Sequence, residues 1–354
     1  MTQLIVNLKK LRHNIQFLVQ YCDTLGLEIM GILKGPGIAP PLILELISNG
    51  IDNLGFSDLP AEKTHNKVFS KKPVLITLPS IHEISDMIQY FGTSLNSQIS
   101  VIKKINDALI EQNRSHNIIL MVDTGDLREG VQPESILGVV KQIHEIKDRR
   151  FEFSGIGTNL GCCAGMMPNE QNINTMQELA VQIETQSGIP VKTVSIGGSV
   201  FLEWLKTNRL PDKINQIRLG EAVLLGNIPT IDKKHKDLYD DGFILRSDVL
   251  ETSEKRVDYS DNLGKDALGN KHEFKYTGMR KRAIMNFGIS ATYPLGLQPL
   301  ADGLDIVSVN SNYTIIDFTN SQVNLKPGDF VDFKMNYLSL LQSFVSPRTN
   351  IVYR

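Results

Sequence analysis

The chain has 354 residues, of which 41% are hydrophobic and 21% charged, a balance that is ordinary for a globular protein with a sizeable core. The net charge of −2 argues against a broad surface for nucleic acid or anionic membranes, because such surfaces need clustered Lys and Arg. No stretch approaches the roughly 20 apolar residues that span a bilayer, and the three cysteines fit neither a disulfide framework nor a zinc-ligand spacing. The sequence therefore predicts a cytoplasmic protein with reduced thiols that binds a small molecule.

From Lys9 to about Leu225, short β-branched runs alternate with amphipathic stretches in units of roughly 25 to 30 residues. Helical periodicity is clear at Ile99 to Glu111 and at Glu170 to Gln186. Eight strands are predicted: Leu27 to Leu33, Ile51 to Phe56, Pro73 to Leu78, Thr93 to Asn96, Asn117 to Val122, Phe153 to Thr158, Val191 to Ile196 and Gln216 to Leu219. This array favours an α/β fold, a (β/α)8 TIM barrel over residues 10–230, with an open doubly wound sheet as the alternative.

After about Asn227 the pattern changes, and a polar linker is predicted at about residues 230–241. Beyond it helical periodicity nearly vanishes, and Gly, Asp and Asn turns separate short apolar runs. These runs predict a second domain, a C-terminal antiparallel β-domain over residues 240–354. Its strands are expected at Gly242 to Thr252, Lys281 to Gly288, Asp305 to Val309, Tyr313 to Phe318 and Phe330 to Met335.

The working residues of a barrel enzyme lie where strands end, and the first predicted strand ends in Lys34. A lysine partly withdrawn from water has a lowered pKa, which suits Schiff-base chemistry. The alternative is a solvated lysine that merely closes a strand.

The last two predicted units each carry a glycine directly after a strand. Gly198 and Ser199 precede a helical segment predicted at Val200 to Lys206, and Gly220 follows the eighth strand, so both loops are candidates to hold one phosphate. Arg218 would project from the eighth strand towards the same end. The alternatives are a tight turn in which Ser199 caps the helix, and a salt bridge of Arg218 at the barrel rim.

Polar side chains also follow the fifth and sixth strands. Arg128 lies in the loop after the fifth strand, where it could donate a hydrogen bond to a phenolate. The sixth strand ends in Asn159, close to Cys162 and Cys163. The alternative is that this amide and these thiols are structural caps.

Taken together and in order, these motifs resemble the fold-type III pyridoxal-phosphate family that contains alanine racemase, and more specifically its ornithine racemase-like branch. The resemblance covers nearly the whole chain and implies pyridoxal 5′-phosphate bound covalently to Lys34, with no metal. It also implies that residues 1–9 form a strand packed with the C-terminal domain. The cofactor-binding roles that it implies are the phenolic oxygen for Arg128, the pyridine ring for Asn159, the pyridine nitrogen for Arg218, and the phosphate for Gly198, Ser199, Gly220 and Tyr337.

The resemblance implies an amino-acid racemase with Lys34 as the base on one face of the substrate, and it points to a basic substrate such as ornithine or lysine. Because arginine stays protonated, Arg218 would leave the pyridine nitrogen unprotonated and suppress transamination. The resemblance further implies a homodimer in which each β-domain completes the partner's site. Another fold-type III reaction, decarboxylation or aldol cleavage, and a non-catalytic cofactor carrier are the alternatives.

The match departs from the family at two positions. Ile289 stands where alanine racemases have the tyrosine that moves the second proton, and Asn312 stands near a family aspartate of the substrate entrance. The second proton carrier is therefore left unassigned, with Ser290, Tyr293, Cys162 and Cys163 as candidates. The identity of the amino acid cannot be copied from the family.

Overall fold

The computed structural model describes residues 1–35, 39–58, 71–258, 263–266, 269, 271 and 275–354, and in it the chain divides into two compact units. One unit is Leu11–Tyr239, and the other joins Met1–Lys10 to Asp240–Arg354. The first strand, β1 (Gln3–Val6), therefore belongs to the same unit as the C-terminal third of the chain.

The larger unit is a closed barrel of parallel strands. Strand β9 pairs with β2 and closes the ring, with Met30 beside Arg218. This confirms the predicted barrel and excludes the open sheet. The strands are β2 (Glu28–Leu33), β3 (Asn53–Phe56), β4 (Val74–Leu75), β5 (Thr93–Asn96), β6 (His116–Met121), β7 (Phe151–Asn159), β8 (Thr193–Gly197) and β9 (Gln216–Leu219).

Helices alternate with these strands: α1 (Leu8–Asp23), α2 (Pro40–Ser48), α3 (Ile84–Tyr90), α4 (Ile99–Glu111), α5 (Ile136–His144), α6 (Glu170–Ser187), α7 (Phe201–Trp204) and α8 (Glu221–Leu225). Helix α6 begins with a reciprocal capping box between Asn169 and Asn172. The helix predicted at Val200 to Lys206 is wrong in extent, since α7 has four residues. No helix in the described part of the chain is long and apolar enough to cross a bilayer.

The barrel interior has an apolar side and a polar side. Met30 and Ile32 alternate along β2, Ile119 and Met121 alternate along β6, and these side chains cluster with Val74 and Leu95. Only the inner face of a closed barrel brings alternate residues of these strands together. The inward positions on β8 and β9 are polar, namely Ser195, Gln216 and Arg218, which are all buried.

The predicted linker contains a short antiparallel hairpin of β10 (Asn227–Ile228) and β11 (Lys233–Lys234), which lies in the barrel unit. The smaller unit is an antiparallel sheet with the order β14-β17-β12-β13-β16-β15. Its members are β12 (Phe243–Arg256), β13 (Met279–Met285), β14 (Leu297–Pro299), β15 (Asp305–Val309), β16 (Thr314–Asp317), β17 (Phe330–Met335) and β18 (Asn350–Tyr353), with helix α9 (Tyr337–Val345) before β18.

Strand β1 lies between β12 and β18, antiparallel to the first and parallel to the second. Its side chains Leu4 and Val6 are fully buried. The core of this unit continues in aromatic pairs, of which Phe287 and Phe333 have ring centroids 5.2 Å apart in an edge-to-face arrangement. The first residues of the chain are therefore part of the core of this second unit.

Candidate active site

Lys34 follows the last residue of β2 at the carboxyl end of the barrel. Side chains alternate along a strand, and Met30 and Ile32 face inward, so the same phase directs Lys34 into the barrel mouth. Its side chain is exposed. The charge of Lys34 lowers the pKa of Glu221, the first residue of α8. These two groups therefore lie on the same side of the mouth.

Arg218 lies in β9 and is only 5% exposed. One terminal nitrogen, NH1, donates to the Ser195 Oγ at 2.8 Å and to the Ser195 carbonyl at 3.2 Å, and NH2 donates to the Thr158 carbonyl at 2.6 Å. Burial lowers the pKa of Arg218 to about 10, so the guanidinium keeps its charge at neutral pH. A guanidinium has five N–H donors, and two of them have no acceptor among the described residues.

Two glycines make room for this guanidinium. A Cβ at Gly197 would lie 2.3 Å from NH2 of Arg218, and a Cβ at Gly157 would lie 3.3 Å from NH1. The close approach of Arg218 therefore explains the glycine at the end of β8, and Gly157 in β7 leaves only tight room for the same guanidinium.

The loops after β8 and β9 meet through Ser199, whose Oγ accepts a hydrogen bond from the Ala222 backbone N–H at 3.1 Å. Ser199 therefore serves the start of α8 and makes no side-chain cap on α7. Gly198 has a φ of +117°, and a Cβ there would lie 2.6 Å from the Leu160 carbonyl oxygen. Gly220 lies on the same rim, directly before α8. The two phosphate-loop candidates are adjacent in space.

Arg128 pairs with its neighbour Glu129 through both Nε and NH2, the second bond measuring 2.7 Å. The hydrogen bonds to the Glu129 carboxylate raise the pKa of Arg128 above its usual value. The loop after β6 turns sharply here, since Gly130 has a φ of +134° and a Cβ there would lie 2.3 Å from the Asp123 backbone nitrogen. Arg128 is thus a fixed cation at the rim.

Asp126 joins the loop after β6 to the loop after β7, a role that the sequence did not reveal. Its carboxylate is 2% exposed. It accepts hydrogen bonds from Asn159 Nδ2 at 3.1 Å and from the backbone N–H groups of Cys162 at 3.0 Å and Cys163 at 3.1 Å. Both thiols are exposed. The sequence signal that could have revealed this role is the turn motif Thr124-Gly125-Asp126, because aspartate side chains in turns accept hydrogen bonds from nearby backbone N–H groups.

The barrel thus brings seven predicted residues to one end: Lys34, Arg128, Asn159, Gly198, Ser199, Arg218 and Gly220. Tyr337 belongs to the other unit, where it is the first residue of α9 after the N-cap Asn336. In that unit Ser290 accepts a hydrogen bond from Arg348 at 2.8 Å, and Asn312 is a second partner of the same guanidinium. The Ser290 hydroxyl itself donates to the Ser311 carbonyl.

Comparison with known proteins identifies the class. The family model for the alanine racemase N-terminal domain matches residues 6–227. The chain therefore belongs to the alanine racemase family.

Two relatives match over nearly the whole chain. An ornithine racemase of Acetoanaerobium sticklandii is 31% identical over 345 residues, 97% of each chain. A lysine racemase of Thermotoga maritima is 31% identical over 352 residues, which is 99% of this chain and 98% of the relative.

Solved structures share the fold. Alanine racemase of Clostridium difficile 630 has a TM-score of 0.72 at 18% identity, covering 100% of this chain and 95% of that one. Alanine racemase of Streptomyces coelicolor has a TM-score of 0.72 at 14% identity, covering 99% and 97%. D-threo-3-hydroxyaspartate dehydratase of Delftia sp. HT23 has a TM-score of 0.72 at 14% identity, covering 100% and 94%.

Proposed function

We propose that this amino-acid racemase acts on a basic amino acid and uses pyridoxal 5′-phosphate bound to Lys34. The racemase class follows from the family match and from two nearly full-length relatives that are racemases. Those relatives are named for ornithine and for lysine, which supports a substrate with a second amino group. The observation that carries the cofactor assignment is the geometry of Arg218, a buried cation with two N–H donors left open.

The residues at the barrel mouth fit this cofactor. The two open donors of Arg218 suit a ring nitrogen that accepts a hydrogen bond. The loops at Gly198 and Gly220 meet at the start of α8 and suit a phosphate, because the positive end of a helix favours an anion. Arg128 supplies a fixed cation for a phenolic oxygen.

When bound, the cofactor withdraws electrons from Cα of an attached amino acid. The chain supplies the rest of the chemistry. The Lys34 amine removes a proton from Cα on one face or returns it there. Arg218 remains a donor towards the ring nitrogen, which limits the electron withdrawal and favours simple proton return over transamination.

We further propose a homodimer in which each C-terminal unit completes the partner's barrel mouth. The family pattern supports this arrangement, and a twofold pair is the commonest oligomer. Covering the mouth also excludes water from the reacting atoms. The proton carrier of the opposite face stays unassigned, since Ile289 lies where the family has tyrosine.

The test is a survey of single L-amino acids in deuterated water, which follows loss of the Cα–H signal and optical activity together. Ornithine or lysine should show exchange and inversion at rates at least about 10-fold above alanine, because a matched polar group at the far end of a substrate discriminates by more than a missing methylene does. Exchange without inversion, or product lacking the carboxylate, would instead indicate another fold-type III reaction. A faster reaction with alanine than with either basic amino acid would overturn the substrate proposal.

A further inference from the structure

A continuous line of polar side chains crosses the barrel interior below Arg218. The Arg218 NH1 donates to Ser195 Oγ at 2.8 Å, Ser195 Oγ donates to Gln216 Oε1 at 2.8 Å, and Gln216 Nε2 donates to Glu28 Oε2 at 3.0 Å. Strand register sets this line, since Gln216 of β9 is paired with Ser195 of β8 and with Glu28 of β2. We refer to these four residues as the polar column.

Every bond in the polar column runs in the same direction, from the guanidinium to the carboxylate. The Ser195 hydroxyl accepts from Arg218 and donates to Gln216, so its single proton is fully used. The Gln216 amide is oriented because its N–H faces Glu28. Hydrogen bonds aligned in this way strengthen one another in a low-dielectric interior.

The column is buried at the arginine end and opens to water at the other. Ser195 is 0% exposed and Gln216 is 4% exposed. Glu28 is exposed and lines a cavity of about 380 Å³ at the amino-terminal ends of the strands. Asn53 Nδ2 donates to its second oxygen at 3.0 Å. The hydrogen bond from Gln216 therefore links an exposed carboxylate to the buried core.

Ser195 is the only described side chain that holds the guanidinium of Arg218. The other two acceptors are backbone carbonyls, those of Ser195 and Thr158. Gly157 and Gly197 flank the guanidinium without side chains. Two of the three hydrogen bonds that orient the guanidinium therefore come from Ser195.

We infer that Ser195 is a positioning residue that fixes Arg218 for the cofactor's ring nitrogen, with Gln216 and Glu28 fixing the Ser195 hydroxyl in turn. The inference rests on the proposed function, because it needs Arg218 to face that nitrogen. Arg218 acts on the ring directly, and the column sets which of its N–H groups remain open.

The experiment compares Ser195→Ala with Ser94→Ala in the holoenzyme. Ser94 is an equally buried barrel serine that bonds His116 at 2.9 Å, and it faces away from the interior because its neighbour Leu95 faces inward. Both variants lose a buried hydrogen bond and should lose similar stability. Ser195→Ala alone should shift the pH titration of the visible absorption band and raise transamination per racemisation several-fold. Ser195→Thr, which keeps the hydroxyl, should restore both readouts.

Gln216→Met provides a second variant, because it breaks the polar column one residue away from Ser195. It should move the absorption titration in the same direction as Ser195→Ala. If either variant folds and keeps the wild-type band and transamination ratio while losing stability, the column is only structural and the inference is wrong. Borohydride labelling is read separately: a wild-type label away from Lys34 would overturn the proposed function itself.

Discussion

The carboxyl of Glu221 is a partly buried acid close to the proposed cofactor lysine. Burial raises the pKa of Glu221 to about 7 from its usual 4.5, and the nearby charge of Lys34 counteracts part of that rise. A raised carboxyl pKa means that the folded state favours the neutral form. The resulting stability is fully present below pH 4.5 and is lost as the pH rises through about 7.

We therefore expect Glu221→Gln to flatten the pH dependence of unfolding between pH 5 and pH 8. The wild-type protein should lose on the order of 2 kcal/mol more than the variant across this window, since one pKa unit corresponds to about 1.4 kcal/mol. Urea unfolding of the cofactor-free protein at both pH values measures the difference. Glu203→Gln is the control, because ion pairs with Lys206 and Lys233 lower the pKa of Glu203 to about 2, outside the window. Parallel pH profiles for wild type and Glu221→Gln would contradict this assignment.

Lys34→Ala should abolish racemisation and leave the fold intact. The side chain is exposed at the strand end, and exposed truncations usually change stability within about 0.5 kcal/mol. Borohydride reduction followed by peptide mapping should place the cofactor on the wild-type peptide containing Lys34 and nowhere in the variant. Lys192→Ala, which removes a surface ion pair with Glu152, is the matched control and should keep full activity. Appreciable racemisation by Lys34→Ala would refute the role.

At the scale of elements, the carboxylate of Asp126 anchors the loop that carries Cys162 and Cys163. Asp126 accepts from both cysteine backbone N–H groups and from the Asn159 side chain. Asp126→Ala should release the loop. Removing the carboxylate leaves N–H donors without an acceptor, and a buried donor without a partner costs about 1–3 kcal/mol. Modification of the two thiols by Ellman's reagent should then accelerate several-fold.

Cys22 gives an internal reference for that measurement, since it is buried and burial raises its pKa to about 12. It should stay unreactive in wild type and variant alike. Glu152→Ala, at the opposite end of β7 from Asn159, serves as the control variant. An unchanged thiol rate in Asp126→Ala would mean that the loop is held by other contacts.

Elements with strong periodicity were predictable from the sequence. Helix α4 and strands β5 and β9 have the predicted bounds. The strand predicted at Pro73 to Leu78 is shorter in the structure, where only Val74–Leu75 pair with β3 and with β5. Helix α7 ends early, and the N–H groups of Lys206 and Thr207 bond three residues back, which marks turns.

Strand ends could be located from the sequence, but partners across the barrel could not. Lys34 and the two glycine loops were predicted because each follows a strand, and Arg218 was predicted because it lies near the end of one. The hydrogen bonds of Ser195 and Gln216 could not be predicted, because their partners lie on other strands and depend on the strand register. The sequence signal for this polar network was the presence of polar residues at alternate positions of two strands that were predicted to be buried.

At the scale of the whole molecule, residues from both ends of the chain form one unit. Leu4 of β1 is fully buried among residues that follow the barrel. Leu4→Ala should destabilise this unit by about 2–5 kcal/mol. Hydrogen exchange should accelerate in β12 and β18 far more than in the barrel strands. Gln3→Ala, on the same strand but half-buried, is the control, and equal acceleration everywhere would contradict a separate unit.

A shared site in a homodimer predicts complementation between two inactive proteins. Lys34→Ala lacks the proposed lysine, and Ile289→Arg places a charge in the segment Gly288 to Tyr293. After subunit exchange, half of the dimers contain one variant of each kind and have one intact site, so about one quarter of wild-type activity should return. Each variant alone, incubated identically, is the control. A monomer by light scattering, or no recovery after verified exchange, would contradict the shared site.

The position of β1 also has a consequence for biosynthesis. Leu4 and Val6 leave the ribosome long before Phe243–Arg246 and Asn350–Tyr353, the segments with which β1 pairs. An apolar strand with both edges unpaired is open to association with other chains during this interval. Lys9 and Lys10 directly follow β1, and their charges are suited to keep the waiting strand soluble. The second unit can therefore complete its sheet only after Asn350–Tyr353 has been synthesised.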